Sequence, residues 1–477
     1  MGDPMDENDQ ISAHTTDVRE RAVLDNLQAN IIKGHARGTF AALFLNFQDA
    51  AEAHATIADL LPLVKSASTH LWEVEAFHSG LGGGTPYVGV GLSQKGLDVL
   101  GAQVPEPAPN FTLGMKDRQD GPGLPPMADP PPGDWEPGYQ GDLHAVVLIG
   151  DASADGAARA EDAVRALLPR AEMVVVDQRG QEITNTDGVG LEHFGYVDGR
   201  SQPLFLEEDI TAEPRTRWDP AFGLGQLLVP EDGAFADANR FGSFLVFRKL
   251  EQNVRLFKEE EERIATDLGL VGPDRERAGA MIVGRFEDGT PLVDHDAATK
   301  PGQNVENDFA YVAPDPADDA TGLRCPHFAH IRKTNPRGSS FAGMTPEQIA
   351  DERGRIMARR GITYGERTDD INADLPPSAR PTEGVGLLFM AFMRSIEDQF
   401  EFTQRAWANN KDFPFVEPDP GLDQVIGQGQ RPGTSVLHCP VAWGQAPTQD
   451  VDPMQQAVTL KGGEYFYAPS IPFLREL

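Results

Sequence analysis

Between residues 39 and 176 the chain alternates between short apolar runs and stretches with helical spacing. This alternation constrains the fold more than any other feature. Residues 39–47, 87–92, 143–149 and 171–176 read as buried strands, and residues 71–77 as one more. Asp49 opens a helix that ends by Leu61, ahead of Pro62; Ser93 caps a helix to Leu100; residues 155–168 form another, and a short one covers 24–33 before Gly34. The order β-α-β followed by β-α-β is that of a ferredoxin-like unit, an antiparallel sheet with helices on one face. The pattern recurs downstream: a strand at 242–249, a charged amphipathic helix at 252–268, a strand at 386–392 and a helix capped by Ser395 that runs to Asn409. The expected fold is α+β, with two ferredoxin-like α/β-sandwich domains duplicated in pattern but not in residues. Residues 1–20 read as a disordered acidic tail, 21–205 as the N-terminal domain and 206–477 as the C-terminal one.

Between these elements lie a Pro/Gly-rich excursion at 105–141 and a second Pro/Gly-rich loop at 417–433. Residues 456–470 read as strand, turn, aromatic strand. The formal net charge of −33 excludes binding nucleic acid or an anionic membrane through bulk charge, and favours cations. Two cysteines make no disulfide framework. The first 20 residues hold no apolar run and nothing approaches the ~18 apolar residues of a membrane span, so the expected location is the cytoplasm.

In so acidic a chain, Cys325-Pro-His-Phe-Ala-His-Ile-Arg-Lys-Thr-Asn-Pro-Arg337 stands out for its cations. Pro326 and Pro336 bracket it and exclude a long helix. One imidazole followed by Arg332, Lys333 and Arg337 suits an anionic metal cofactor: the histidine binds the metal, and guanidinium meets carboxylate. Haem fits that description. Zinc on Cys325, His327 and His330 competes poorly, because the other cysteine, Cys439, is over a hundred residues away. A buried histidine followed by surface cations is the plain alternative.

Two further stretches carry chemistry. Glu192-His-Phe-Gly-Tyr-Val-Asp-Gly-Arg-Ser-Gln-Pro203 sets Asp198 among glycines that let a short carboxylate approach a flat ligand; an ordinary Asp-Gly turn is the competing reading. Met357-Ala-Arg-Arg-Gly-Ile-Thr-Tyr-Gly365 holds Arg359 and Arg360, which on their own read as cations closing a helix that Gly361 breaks.

Together these stretches resemble the dye-decolorising peroxidase family, in its longer soluble members. The family's Gly-Phe-x-Asp-Gly appears as Gly195-Tyr-Val-Asp-Gly199, followed by Ser201-Gln-Pro203. Its Ala-His-Ile-Arg-Lys-x-Asn-Pro-Arg matches Ala329 to Arg337, and its Arg-x-Gly-Ile-Pro-Tyr-Gly appears as Arg359 to Gly365. The resemblance extends through residues 386–410 and 460–466 and covers the chain from about residue 24 to its end. It departs in two places: Tyr196 stands for Phe and adds an oxidisable phenol, and Thr363 stands for Pro, which points to a looser loop.

The resemblance implies a peroxidase holding one haem b per chain, between the domains or within the C-terminal one. It makes His330 the axial iron ligand, Asp198 and Arg359 the distal pair, and Arg337 the propionate partner. Gly199, Leu387 and Phe389 line the cofactor pocket. A carboxylate is expected on His330, with Glu397 the candidate and Asp398 and Glu401 its rivals. The expected reaction uses H2O2 to oxidise dyes, phenols and Mn2+ one electron at a time; a haem carrier or sensor without turnover is the alternative. Because bulky dyes cannot enter a small pocket, surface Trp or Tyr residues are expected to relay electrons, with Trp407, Tyr196 and Trp135 as candidates.

Overall fold

The computed structural model describes residues 5–35, 38–81, 84–312, 319–417, 419–429, 431 and 436–477. Strands β1 Thr39–Leu45, β2 Tyr87–Leu92, β3 Ala145–Asp151 and β4 Val174–Gln181 come from the first half. The second half supplies β5 Phe241–Gln252, β6 Ala358–Arg359, β7 Ile362–Tyr364, β8 Gly386–Met393 and β9 Val458–Ala468. Together with the two-residue strand Val229–Pro230, which pairs with β5, they form one ten-stranded sheet whose main path runs β7-β8-β5-β9-β2-β3-β1-β4, with every pair antiparallel. The expected α+β class therefore holds, with a refinement: β9, the last strand, pairs with β2 through Tyr467 and Leu92 and fuses both halves into one sheet. Phe44 of β1 meets Phe247 of β5 at 4.8 Å and Phe466 of β9 at 5.9 Å, so the two cores merge under the seam.

The helices are α1 Val18–Asn26, α2 Ala50–Leu60, α3 Ala67–His78, α4 Gln94–Leu100, α5 Ala154–Leu167, α6 Val254–Asp267, α7 Glu276–Val283 and the short α8 His330–Thr334. Side-chain caps set several of their starts: Asp49, Ser93 and Ser153 each accept from a backbone N–H three residues on.

Four expectations fail locally. Residues 71–77 belong to α3, capped by Ser66; Trp72 and Phe77 face solvent, so an apolar run there did not mean a buried strand. The first helix starts earlier, where Asp17 accepts from Arg19 and Glu20, and ends at Asn26. The acidic N-terminal segment is not loose from Met5 onward: Ile11 is fully buried and bridges to Leu206. A few apolar anchors in a polar stretch were enough to dock it. The C-terminal strand runs unbroken through Lys461 as a bulge rather than a turn.

Candidate active site

A cavity of about 520 Å³ opens beside the β5 and β8 end of the sheet. Alternation along paired strands builds one wall: Leu387 and Phe389 of β8 lie beside Leu250 and Arg248 of β5, and all four face the cavity. His330, Ile331, Thr334 and Arg337 form another part of the lining. The loop from Glu192 to Phe205 and the arginines around Arg359 complete it.

His330 begins α8, and the prolines on either side limit that helix to little more than a turn. Its Nδ1 donates to Asp423 Oδ2 at 2.8 Å. A carboxylate accepts only, so this bond places the ring proton on Nδ1 and leaves Nε2 as the lone-pair nitrogen. Asp423 is completely buried and its other oxygen accepts from the amides of Val425 and Ile426 at 2.8 and 2.9 Å. Burial alone would raise this carboxyl; His330 and the two amides outweigh burial and hold it below its ordinary value.

The carboxylate on His330 is thus Asp423, not Glu397. Glu397 accepts from the backbone of Asn110 at 2.6 Å, Asp398 bonds Ser395, and Glu401 bonds Tyr465 and Asn110. The helix that carries these three runs past the cavity wall, whereas the Pro/Gly-rich loop after Glu417 folds back onto α8. Only tertiary contact brings position 423 to position 330. Of the other residues in the cation-rich stretch, His327 bonds Glu417 and the Ala320 carbonyl, and Cys325 is buried with its thiol pushed up to about 12 by burial. Neither is placed as a metal ligand, and Cys325 and Cys439 are both free thiols.

Asp198 lies in the same cavity on an exposed bend. Gly195 and Gly199 take left-handed backbone angles, and a Cβ at Gly199 would meet nothing within 4 Å, so the loop leaves open space there. Arg359 is reached by β6 rather than by a helix end: its backbone N–H donates to Gln202 and its guanidinium to the Arg200 carbonyl at 2.6 Å. Arg359 is thereby fastened to the loop that carries Asp198. The Thr363 substitution does not loosen this region, since its hydroxyl donates to the Gln181 carbonyl and joins β7 to β4.

An anionic group fits the cavity's charge. Arg337, with a left-handed φ of 51°, donates to the Asn307 and Phe309 carbonyls and to Ser201, and stacks 3.8 Å from the Phe309 ring. Arg285 donates to the Gly289 and Glu306 carbonyls and also lies over the Phe309 ring, 5.2 Å from its centre. Among the described residues neither guanidinium bonds a carboxylate; burial pushes Arg337 down to about 9 and Arg285 to about 10. Arg200, by contrast, is paired with Glu213 at 3.2 Å and donates to the Val305 carbonyl, leaving only its Nε without a partner. Buried cations that bond no carboxylate among the described residues suit an anionic group. By contrast Arg332 is spent on Asp319 and Lys333 on the carbonyls of Trp407 and Asn410. Sequence reasoning missed Arg285 in the cavity lining and Asp423 behind His330; Arg285 lies outside the stretches that stand out, and Asp423 sits in a Pro/Gly-rich loop with no motif of its own.

The relay candidates are not on the surface. Trp407, Trp135 and Tyr196 are all buried, and the Tyr196 hydroxyl turns to Glu261, while Trp72 is 68% exposed.

A carboxylate-oriented imidazole, an acid and a guanidinium fastened together, and uncompensated cations in one apolar-walled cavity are the requirements of haem-dependent peroxide chemistry. No protein-family model matches the chain. It is 50% identical over 485 residues to the multifunctional dye peroxidase DyP2 of an Amycolatopsis species, covering 99% of this chain and all of that one. It is 30% identical over 483 residues to the dye-decolorizing peroxidase msp1 of Mycetinis scorodonius, covering 95% and 87%. Among solved structures, that of the Amycolatopsis DyP2 superposes with a TM-score of 0.91 at 48% identity, over 99% and 100% of the two chains. A DyP-type peroxidase from an Anabaena species gives 0.85 at 33% identity, over 98% and 96%. The chain belongs to the dye-decolorising peroxidase family and is a haem peroxidase.

Proposed function

We propose that the chain would hold one haem b through His330 Nε2 at the iron, with Arg337 and Arg285 placed to meet its carboxylates. Leu387, Phe389 and Gly199 would line its pocket. Haem, when bound, supplies the iron at which H2O2 accepts two electrons and from which dyes, phenols and Mn2+ are oxidised one electron at a time. The residues do the rest. Asp198 takes a proton from one oxygen of H2O2 and returns it to the other, so that water leaves rather than hydroxide. Arg359 stabilises the negative charge that develops as the O–O bond breaks. Asp423 keeps the proton on Nδ1 of His330 and strengthens its donation through Nε2. The division proposed for the chain, 21–205 and 206–477, puts Asp198 on one side and His330 and Arg359 on the other.

The observation that carries this reading is Asp198 and Arg359 sharing one cavity with a carboxylate-held imidazole. A haem carrier or sensor needs no such proton-handling pair. For large dyes, Trp407 is the favoured relay, because it stacks on Phe413, which meets the half-exposed Phe415 edge-on. Support for Mn2+ is the charge of −33 alone. A cytoplasmic location is proposed from the two free, buried thiols; among the described residues no helix is long and apolar enough to cross a membrane.

The test is stopped-flow mixing of the haem-loaded protein with H2O2. Asp198→Asn, which cannot accept the proton, and Arg359→Leu should each slow the first spectral change by about 10²-fold or more. Wild-type rates in both variants refute the reading.

A further inference from the structure

The turn that leads to Asp198 is built around a second acid. Leu191 bridges to Val197, and between them the chain doubles back over five residues. The Glu192 side chain fills that turn: Oε1 accepts from the Tyr196 amide at 3.0 Å and Oε2 from the Phe194 amide at 2.9 Å. The Glu192 amide in turn donates to the Tyr196 carbonyl. Asp198 emerges from the far arm, its own amide donating to Gly190 at 3.1 Å. One side-chain bond ties the inside of this turn to the sheet, from Gln252 Nε2 at the end of β5 to Glu192 Oε2 at 2.5 Å. Both Glu192 and Gln252 line the cavity.

The pair is incomplete as a carboxylate and an amide. Gln252 is 4% exposed, and its Oε1 has no hydrogen-bond partner. A buried, unpaired carbonyl is costly, and the nearest remedy is an O–H donor on Glu192, whose Oε2 already contacts this amide. Protonation of Glu192 supplies it. The surroundings favour that state: burial, before any other cause, pushes Glu192 up to about 7, with Asp198 adding to the rise. The other charged groups nearby are accounted for. Tyr196 turns its hydroxyl to Glu261, which with Glu287 is paired to Lys258. His193 is held by the Tyr364 carbonyl and Arg367 by Asp369, while Arg248, on the Gln252 face of β5, is paired with Asp129.

We propose that Glu192 is a positioning residue for Asp198 that also holds an exchangeable proton: its carboxyl group fills the turn from which Asp198 emerges, and Gln252 anchors it to β5 in both protonation states. The carboxylate form accepts from the Gln252 amide, and the acid form donates to its Oε1. This inference rests on the reading of Asp198 as the group that moves the peroxide proton.

Four haem-loaded proteins test it: wild type, Glu192→Ala, Glu192→Gln and Gln252→Leu. The readouts are the stopped-flow rate with H2O2 between pH 5 and 9, and the infrared carboxylic C=O band of the haem-free chain over the same range. Glu192→Ala empties the turn and should slow the reaction on the order of tenfold to a hundredfold, the usual consequence of misplacing a reacting group by about 1 Å. Glu192→Gln imitates the protonated acid, since its amide can donate to Gln252 Oε1. It should lose far less rate, while removing the infrared band that disappears near pH 7 and the matching step in the rate profile. Gln252→Leu should move that step, because the anchor for both states is gone. A wild-type rate and pH profile in Glu192→Ala overturns the proposal, as does an infrared band that persists in Glu192→Gln. If Asp198→Asn itself reacts at the wild-type rate, the reading of Asp198 fails instead. A slow Asp198→Asn beside a wild-type Glu192→Ala sinks this inference alone.

Discussion

Asp423→Asn replaces an oxygen by an NH2 group of nearly the same size, and the structure says what that single atom does. The Asp423 carboxylate accepts three hydrogen bonds, one from His330 Nδ1 and two from the amides of Val425 and Ile426. An asparagine has one acceptor. If its oxygen keeps the two amides, its NH2 faces the Nδ1–H of His330, donor against donor. If it turns round, the NH2 meets the two amides instead. The first arrangement is less costly, because only one bond is lost and the imidazole can answer by moving its proton to Nε2. That proton then occupies the lone pair needed for iron. The lost bond is charge-assisted and worth roughly 1.5–3 kcal/mol. That agrees with the 10–100-fold, about 1.4–2.7 kcal/mol, by which metal affinity falls when an oriented histidine loses its partner. We expect haem affinity, from titration of the haem-free chain followed by its Soret band, to fall by that factor. We expect the iron–histidine stretch of the ferrous protein to weaken or vanish. The acid limb of stability should change too. The folded Asp423 carboxyl lies below its ordinary value, so it stabilises the fold above the unfolded value of about 3.9. That stability is lost as pH falls through the folded value, and Asp423→Asn should flatten this acid-side loss. Unchanged haem affinity with an unchanged stretch refutes the assignment of Asp423 as the group that orients His330.

Other perturbations separate the remaining parts. His330→Ala should abolish the normal Soret band, whereas His327→Ala, whose ring is occupied by Glu417 and the Ala320 carbonyl, should keep it; equal haem loss in both refutes the ligand assignment. A cationic reductant should show a higher kcat/KM than an anionic one of similar potential near neutral pH and low salt, with the gap closing as salt screens the −33 charge; preference for the anion overturns the argument from global charge. Thr363→Val should destabilise the chain by about 1 kcal/mol in urea unfolding, since the partly buried bond to Gln181 joins two strands; no change in midpoint shows that the bond carries no net stability.

The sequence by itself determined the parts whose information is local. Strand β2 was bounded by its apolar run, and Ser93 and Ser395 were read as helix caps because a hydroxyl three residues before an amide is enough to make one. The family resemblance picked out Asp198, His330, Arg337, Arg359, Leu387 and Phe389, and all six line one cavity. The tertiary structure decided what depends on chain segments meeting. Asp423 is 93 residues from His330 in a Pro/Gly-rich loop with no pattern of its own, so nothing near it in sequence distinguishes it from Glu397. Arg285 and Arg337 stand out because, among the described residues, neither bonds a carboxylate, and a missing partner exists only in three dimensions. Trp407 reads as a surface candidate until Phe413 covers it. Even the duplication is resolved only by folding, because one strand pairing at the seam turns two similar halves into one sheet. Local sequence fixes dihedral preferences and caps; which buried charge meets which is set by long-range packing, where a hydrogen bond depends on position rather than on neighbours in the chain.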